Sequence, residues 1–103
     1  MILGGGWVGE GVAQELAQQK LRVKILDRNR DRCEHLAQHL DGVAVIHAEG
    51  TDVGTLHDEG IEDTDVFVAV TQEDEGNILC SLLAKRSGAK RAIALVSQPQ
   101  YVS

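Results

Sequence analysis

The run Gly4-Gly5-Gly6-Trp7-Val8-Gly9, directly after the apolar Met1-Ile2-Leu3, confines this chain to a small set of folds. Gly4, Gly6 and Gly9 form the pattern G-x-G-x-x-G where a strand hands over to a helix. The three glycines serve different physical purposes. Gly4 permits a tight turn, Gly6 lets the backbone approach a pyrophosphate, and Gly9 lets the helix pack close to the strand. The helix that starts here turns unpaired N–H groups and its positive dipole end toward the phosphate. The whole loop, with Gly5, Trp7 and Val8 between the key glycines, is therefore the candidate phosphate cradle. Trp7, the only tryptophan, reads either as a packing residue or as a lid beside the nucleotide.

A second apolar run, residues 21–26, closes at Asp27, 23 positions after Gly4. An acid at that distance is where a dinucleotide fingerprint places the acceptor for the adenosine ribose hydroxyls. Arg28 beside it reads as a solvated or adenine-edge residue and not as a 2′-phosphate clamp, because Asp27 repels such a phosphate.

Hydrophobic periodicity extends the pattern along the chain. Val8, Val12, Ala13, Leu16 and Ala17 recur at helical spacing and predict a helix to about Lys20. A second helix is expected over 31–40, stopped by Asp41-Gly42, with Leu36, Ala37 and Leu40 on one face. Strands are expected at 43–47, 66–70 and 92–96, with a short helix over 53–59 capped by Thr51-Asp52 and ended by Gly60. The longest helix is placed at 73–86, with Ile78, Leu79, Leu82 and Leu83 toward the sheet, acids at its start and bases at its end. Gly88 is its expected stop and Pro99 ends the regular pattern.

Strand and helix alternate five times, which implies an α/β, Rossmann-like, doubly wound parallel sheet of order 3-2-1-4-5 with helices on both faces. Its switch point brings Gly4 to Gly9, Asp27-Arg28, the turn Ala48-Glu49-Gly50-Thr51-Asp52, and Thr71 to one crevice.

Composition narrows the function. At 103 residues the chain is read as one domain, and its net charge of −6 argues against nucleic-acid binding. No apolar run approaches the ~20 residues that span a bilayer, so direct membrane insertion is not expected. Cys33 and Cys80 lack C-x-x-C spacing and read as reduced thiols; His35 and His39 share a helix face without a completing ligand set, so no metal site is assigned. Nothing supplies a convincing acid/base dyad, and no catalytic residue is assigned.

The stretch Glu49-Gly50-Thr51-Asp52, Leu56, Gly60-Ile61, Asp65-Val66, followed by Ala69-Val70-Thr71, Asp74-Glu75 and Asn77, resembles the RCK/KTN (TrkA-N) domain. The tail, residues 83–91 with Tyr101-Val102, is similar in particular to the second nucleotide-binding domain of peripheral potassium-uptake subunits. The resemblance implies a non-enzymatic, cytoplasmic regulatory domain at the inner face of the cell membrane, acting on a membrane-embedded potassium transporter subunit. It implies NAD(H) as cofactor, with ATP, ADP or AMP as alternatives, and homo-oligomers formed through further RCK domains. Matched to its pattern, Gly4, Gly6 and Gly9 are the phosphate loop, Asp27 the ribose acid, and Ala48-Glu49-Gly50-Thr51 the adenine-side turn, where the family has a G-D-A-T-like sequence. Leu95 stands where many members carry Arg. Such domains continue into a further helix, strand and crossover helix, so the chain is expected to be part of a longer polypeptide, with Met1 an internal methionine or an artificial start. Two other readings stay open: the cofactor-binding part of an NAD-dependent oxidoreductase, and a degenerate domain used only for assembly.

Overall fold

The computed structural model describes residues 1–97; Pro99 and Tyr101-Val102 lie outside the described residues. The centre of the sheet is its shortest strand. β1 (Ile2–Leu3) lies between β2 (Val23–Asp27) and β4 (Val66–Ala69), with β3 (Val43–His47) and β5 (Arg91–Ala94) at the edges. The order is β3-β2-β1-β4-β5 and every pairing is parallel, as the alternation of strand and helix requires.

Side-chain alternation along β1 and β2 divides the core in two. Ile2 and Ile25 join Val23, Leu36, Leu40 and Ala13 on the face covered by α1 (Trp7–Gln18) and α2 (Arg30–His39). Leu3 and Leu26 join Phe67, Leu56, Cys80 and Ala84 on the face covered by α3 (Val53–Asp58) and α4 (Asp74–Ser87). The only phenylalanine, Phe67, is the largest fully buried side chain.

The element boundaries shift for local reasons. Helix α1 begins at Trp7, before Gly9, because Gly6 is extended and caps it. It ends at Gln18, since Lys20 adopts φ 64°. Lys20 N–H donates to Ala17 O at 2.9 Å and Leu21 N–H to Leu16 O at 3.2 Å, the paired closure of a left-handed C-terminal cap. That closure keeps Leu21 and Arg22 out of β2, which starts at Val23. A 3₁₀ turn, Ile61–Asp63, enters from the left-handed Gly60 and buries Ile61, a feature the periodicity did not signal.

The largest correction concerns the rotation of α4. Leu79 and Leu82, expected against the sheet, are exposed (49% and 59%), while Asn77, Cys80, Ser81 and Ala84 take that face. Both stripes have helical spacing, so apolar periodicity alone selects the wrong one. Polar anchors at the helix start decide the phase. Asn77 Nδ2 donates to Leu95 O at 3.0 Å, and Asp74 Oδ1 accepts from Ser97 N at 3.1 Å. Smaller adjustments of the same kind leave Val8 and Ala37 exposed and bury Cys33 on α2.

The strained cap gives the first prediction. A non-glycine residue in the left-handed region costs about 1–2 kcal/mol, partly offset by the greater chain entropy glycine loses on folding. Lys20→Gly should raise stability by about 0.5–1 kcal/mol in urea unfolding. A loss of stability would contradict the cap geometry.

Candidate functional site

The register fixes the site. Leu3 pairs with Leu26 on one side and Ala69 on the other, so Gly4, Asp27 and Val70 leave the sheet side by side. Gly4, at φ 113°, makes the turn that its place in the glycine pattern requires and donates its N–H to Leu26 O at 2.8 Å. A Cβ on Gly9 would stand 1.7 Å from Gly4 O, so only glycine allows α1 to cross there. A Cβ on Gly6 would meet nothing within 4 Å. The fold tolerates a side chain at Gly6; the space in front of it is open.

Asp27 braces this loop. Its Oδ2 accepts from Gly5 N at 2.7 Å and its Oδ1 from Asn29 N at 2.8 Å. Each carboxylate oxygen keeps a further lone pair for a hydroxyl donor. Arg32, on the first turn of α2, donates through Nε to Gly5 O and pairs with Glu10 Oε1 at 2.5 Å. Two charged residues thus splint the glycine turn from the β2 side.

On the other side, Thr71 is held by Asn77. Asn77 Oδ1 accepts from Thr71 N at 3.0 Å and from Thr71 Oγ1 at 2.5 Å, and its Nδ2 donates to Thr71 O at 2.9 Å. Asn77 is fully buried, and these bonds together with that to Leu95 O occupy its amide. The T…DExN set is therefore an internal clamp that ties the start of α4 to the ends of β4 and β5. The turn after β3 is seated by Ala48 N donating to Asp27 O at 3.0 Å and by Gly50 packed on Leu3. Asp52 then caps α3, and the Thr55 N–H it accepts holds its carboxyl below the ordinary value.

These turns enclose a crevice of about 660 Å³. Of the residues assigned from sequence, Gly4, Gly6, Asp27, Arg28, Glu49, Gly50, Thr51 and Thr71 line it. Gly5 and Gly9 lie buried behind it as bracing and packing positions. Trp7 is 94% exposed and Val8 also faces solvent, so neither borders the crevice. Trp7 instead borders a shallow groove with Glu10, Gly11, Gln14, Arg32 and His35.

The sequence reading missed Arg32, Asn29, Glu73, Gly76 and Cys80, which also line the crevice. Asn29 and Arg32 had a usable signal, since Asn29 is the N-cap of the helix that follows Asp27. Cys80 had none, because its position depends on the rotation of α4. Burial first, then the Glu49 and Glu73 carboxylates, push its thiol pKa up. Cys33 is raised by burial and then by Asp27.

The four histidines do not border the crevice. His35 and His39 stack on α2, His47 Nε2 lies 2.9 Å from Arg28 O, and His57 pairs with Glu62. Among the described residues no group of three or more His, Cys, Asp or Glu is placed to hold a metal, and no helix is long and apolar enough to cross a membrane.

The sequence matches the TrkA-N domain over residues 1–103. The chain belongs to the TrkA-N family. It is 43% identical over 102 residues to the Trk system potassium uptake protein TrkA of Halomonas elongata, covering 99% of this chain and 22% of that protein. The TrkA of Vibrio alginolyticus is 41% identical over 102 residues, with 99% and 22% covered. A TrkA homolog of Methanosarcina mazei is 41% identical over 103 residues, with 99% and 25% covered. The chain thus spans about a quarter or less of the length of these relatives.

The glycine geometry separates folding from ligand access. Gly9→Ala should destabilise the domain by more than about 2 kcal/mol in thermal or urea unfolding, because overpacking a tight contact costs about 1–3 kcal/mol and here the obstacle is backbone. Gly6→Ala should stay within about 0.5 kcal/mol, the range of substitutions that disturb no contact. Equal losses would contradict the described turn.

Proposed function

We propose that this TrkA-N domain is a regulatory nucleotide-binding module, taking NAD(H) or an adenine nucleotide in the crevice at the carboxyl edge of the sheet. One observation carries the reading: Gly6 borders the crevice, needs no glycine for its own backbone, and faces open space that a Cβ would enter. Phosphate oxygens would accept from the exposed N–H groups at the start of α1, where the helix dipole favours negative charge. The ribose hydroxyls would donate to Asp27, and the turn Glu49-Gly50-Thr51 would border the adenine. Thr71 would line the opposite wall, held in place by Asn77.

Among the described residues no histidine borders the crevice, and we read the site as regulatory and not as one for hydride transfer. The relatives are named as potassium uptake proteins and are several times longer, so the domain is proposed to act as one part of such a protein. In that setting it would work in the cytoplasm at the inner membrane face, assemble with further RCK domains, and convey nucleotide occupancy to a membrane-embedded potassium-conducting subunit.

Asp27 offers the direct test. A hydrogen bond to a charged group contributes about 1.5–3 kcal/mol, and each 1.4 kcal/mol is tenfold in affinity. Asp27→Ala should weaken NADH binding by about tenfold or more in calorimetry. NADPH should bind the unmodified chain less tightly than NADH, since its 2′-phosphate faces the Asp27 carboxylate. Unchanged NADH affinity in the variant would remove Asp27 from the ribose site.

A further inference from the structure

An ion pair joins the two lips of the crevice. Arg28 follows β2 and Glu73 precedes α4, and Arg28 Nη2 lies 2.8 Å from Glu73 Oε1. Because β2 and β4 stand on opposite sides of β1, this contact crosses the crevice whose floor is the Gly4–Gly6 turn. Both side chains are largely exposed, at 65% and 63%, whereas Gly4 is buried. The pair therefore spans the solvent side of the crevice above the glycine turn.

The fold gains little from it. Exposed ion pairs contribute little to stability, and the Glu73 side chain makes no capping bond to α4, although Glu73 is its N-cap. The position matters more than the strength. A phosphate entering over the glycine turn attracts Arg28 and repels Glu73, so it competes for one partner and displaces the other. The Arg28 guanidinium has five N–H donors in a planar fork that suits phosphate oxygens.

We propose that Arg28 and Glu73 form a latch across the phosphate seat, opened when a nucleotide with two or more linked phosphates takes Arg28 from Glu73. The proposal rests on the nucleotide-binding reading above and adds a pair of specificity-determining residues to it. Glu73 holds Arg28 in reserve and penalises the entry of negative charge; Arg28 offsets part of that penalty once the phosphates are seated. Ligand affinity is set by the exchange of partners and not by either charge alone.

Calorimetric titration with ATP and with NADH at low salt, where exposed charges are least screened, tests the latch on four chains: the unmodified one, Glu73→Gln, Arg28→Gln and the double variant. Neither residue is buried, and circular dichroism checks that each variant is folded. Glu73→Gln should tighten ATP binding by about two- to fivefold, the range an exposed pair supplies. Arg28→Gln should weaken it, and in the Arg28→Gln background the Glu73→Gln gain should shrink to what repulsion between Glu73 and the phosphates alone contributes. An equal gain in both backgrounds would make Glu73 only a repelling charge and overturn the latch, as would no gain at all. If the unmodified chain binds neither ATP nor NADH, the nucleotide reading falls and the latch falls with it; if it binds both and the variants do not couple, the latch alone falls.

Discussion

A Cβ on Gly9 would sit 1.7 Å from the carbonyl oxygen of Gly4, so α1 lies against the end of β1 at a distance only glycine allows. Much else follows from that approach. It fixes the direction of α1, whose first turn must then point its free N–H groups over the end of the shortest and most central strand. It forces the backbone through the left-handed Gly4, and it brings Gly5 close enough for Asp27 and Arg32 to hold both its N–H and its carbonyl. The crevice is thus the space left above β1 when a helix is packed too close for a side chain at the contact.

Charge around that space is nearly balanced by residue type, with Asp27, Glu49 and Glu73 facing Arg28 and Arg32. Each cation has an acidic partner: Arg28 pairs with Glu73 and Arg32 with Glu10. Attraction for phosphate therefore falls mainly to the free backbone N–H groups and the dipole at the start of α1. Such a site discriminates by shape and by hydrogen-bond geometry more than by bulk positive charge, in keeping with an overall net charge of −6.

How much of this was legible depended on whether local chemistry or tertiary packing decided each feature. The glycine spacing and Asp27 could be read because each is tied to a backbone requirement within one βα unit. The strand order could be read because parallel strands need crossovers of one hand. The rotation of α4 could not, since Leu79 and Leu82 share their helical period with Cys80 and Ala84, and the choice was made by Asn77 and Asp74 bonding to residues around β5. The exposure of Trp7 was hidden for a related reason: the adjacent Gly6 caps the helix, and one residue along, the Trp7 side chain already faces solvent.

If the open space before Gly6 is a phosphate seat, a side chain placed there must exclude the ligand without disturbing the fold. The most direct measurement is saturation binding of NADH to the Gly6→Val chain beside the unmodified one. Saturable binding is predicted for the unmodified chain and none for the variant. The two circular dichroism spectra and unfolding midpoints should be nearly alike, since a Cβ at Gly6 meets no protein atom within 4 Å. Full NADH affinity in a folded Gly6→Val chain would show that the phosphates lie elsewhere.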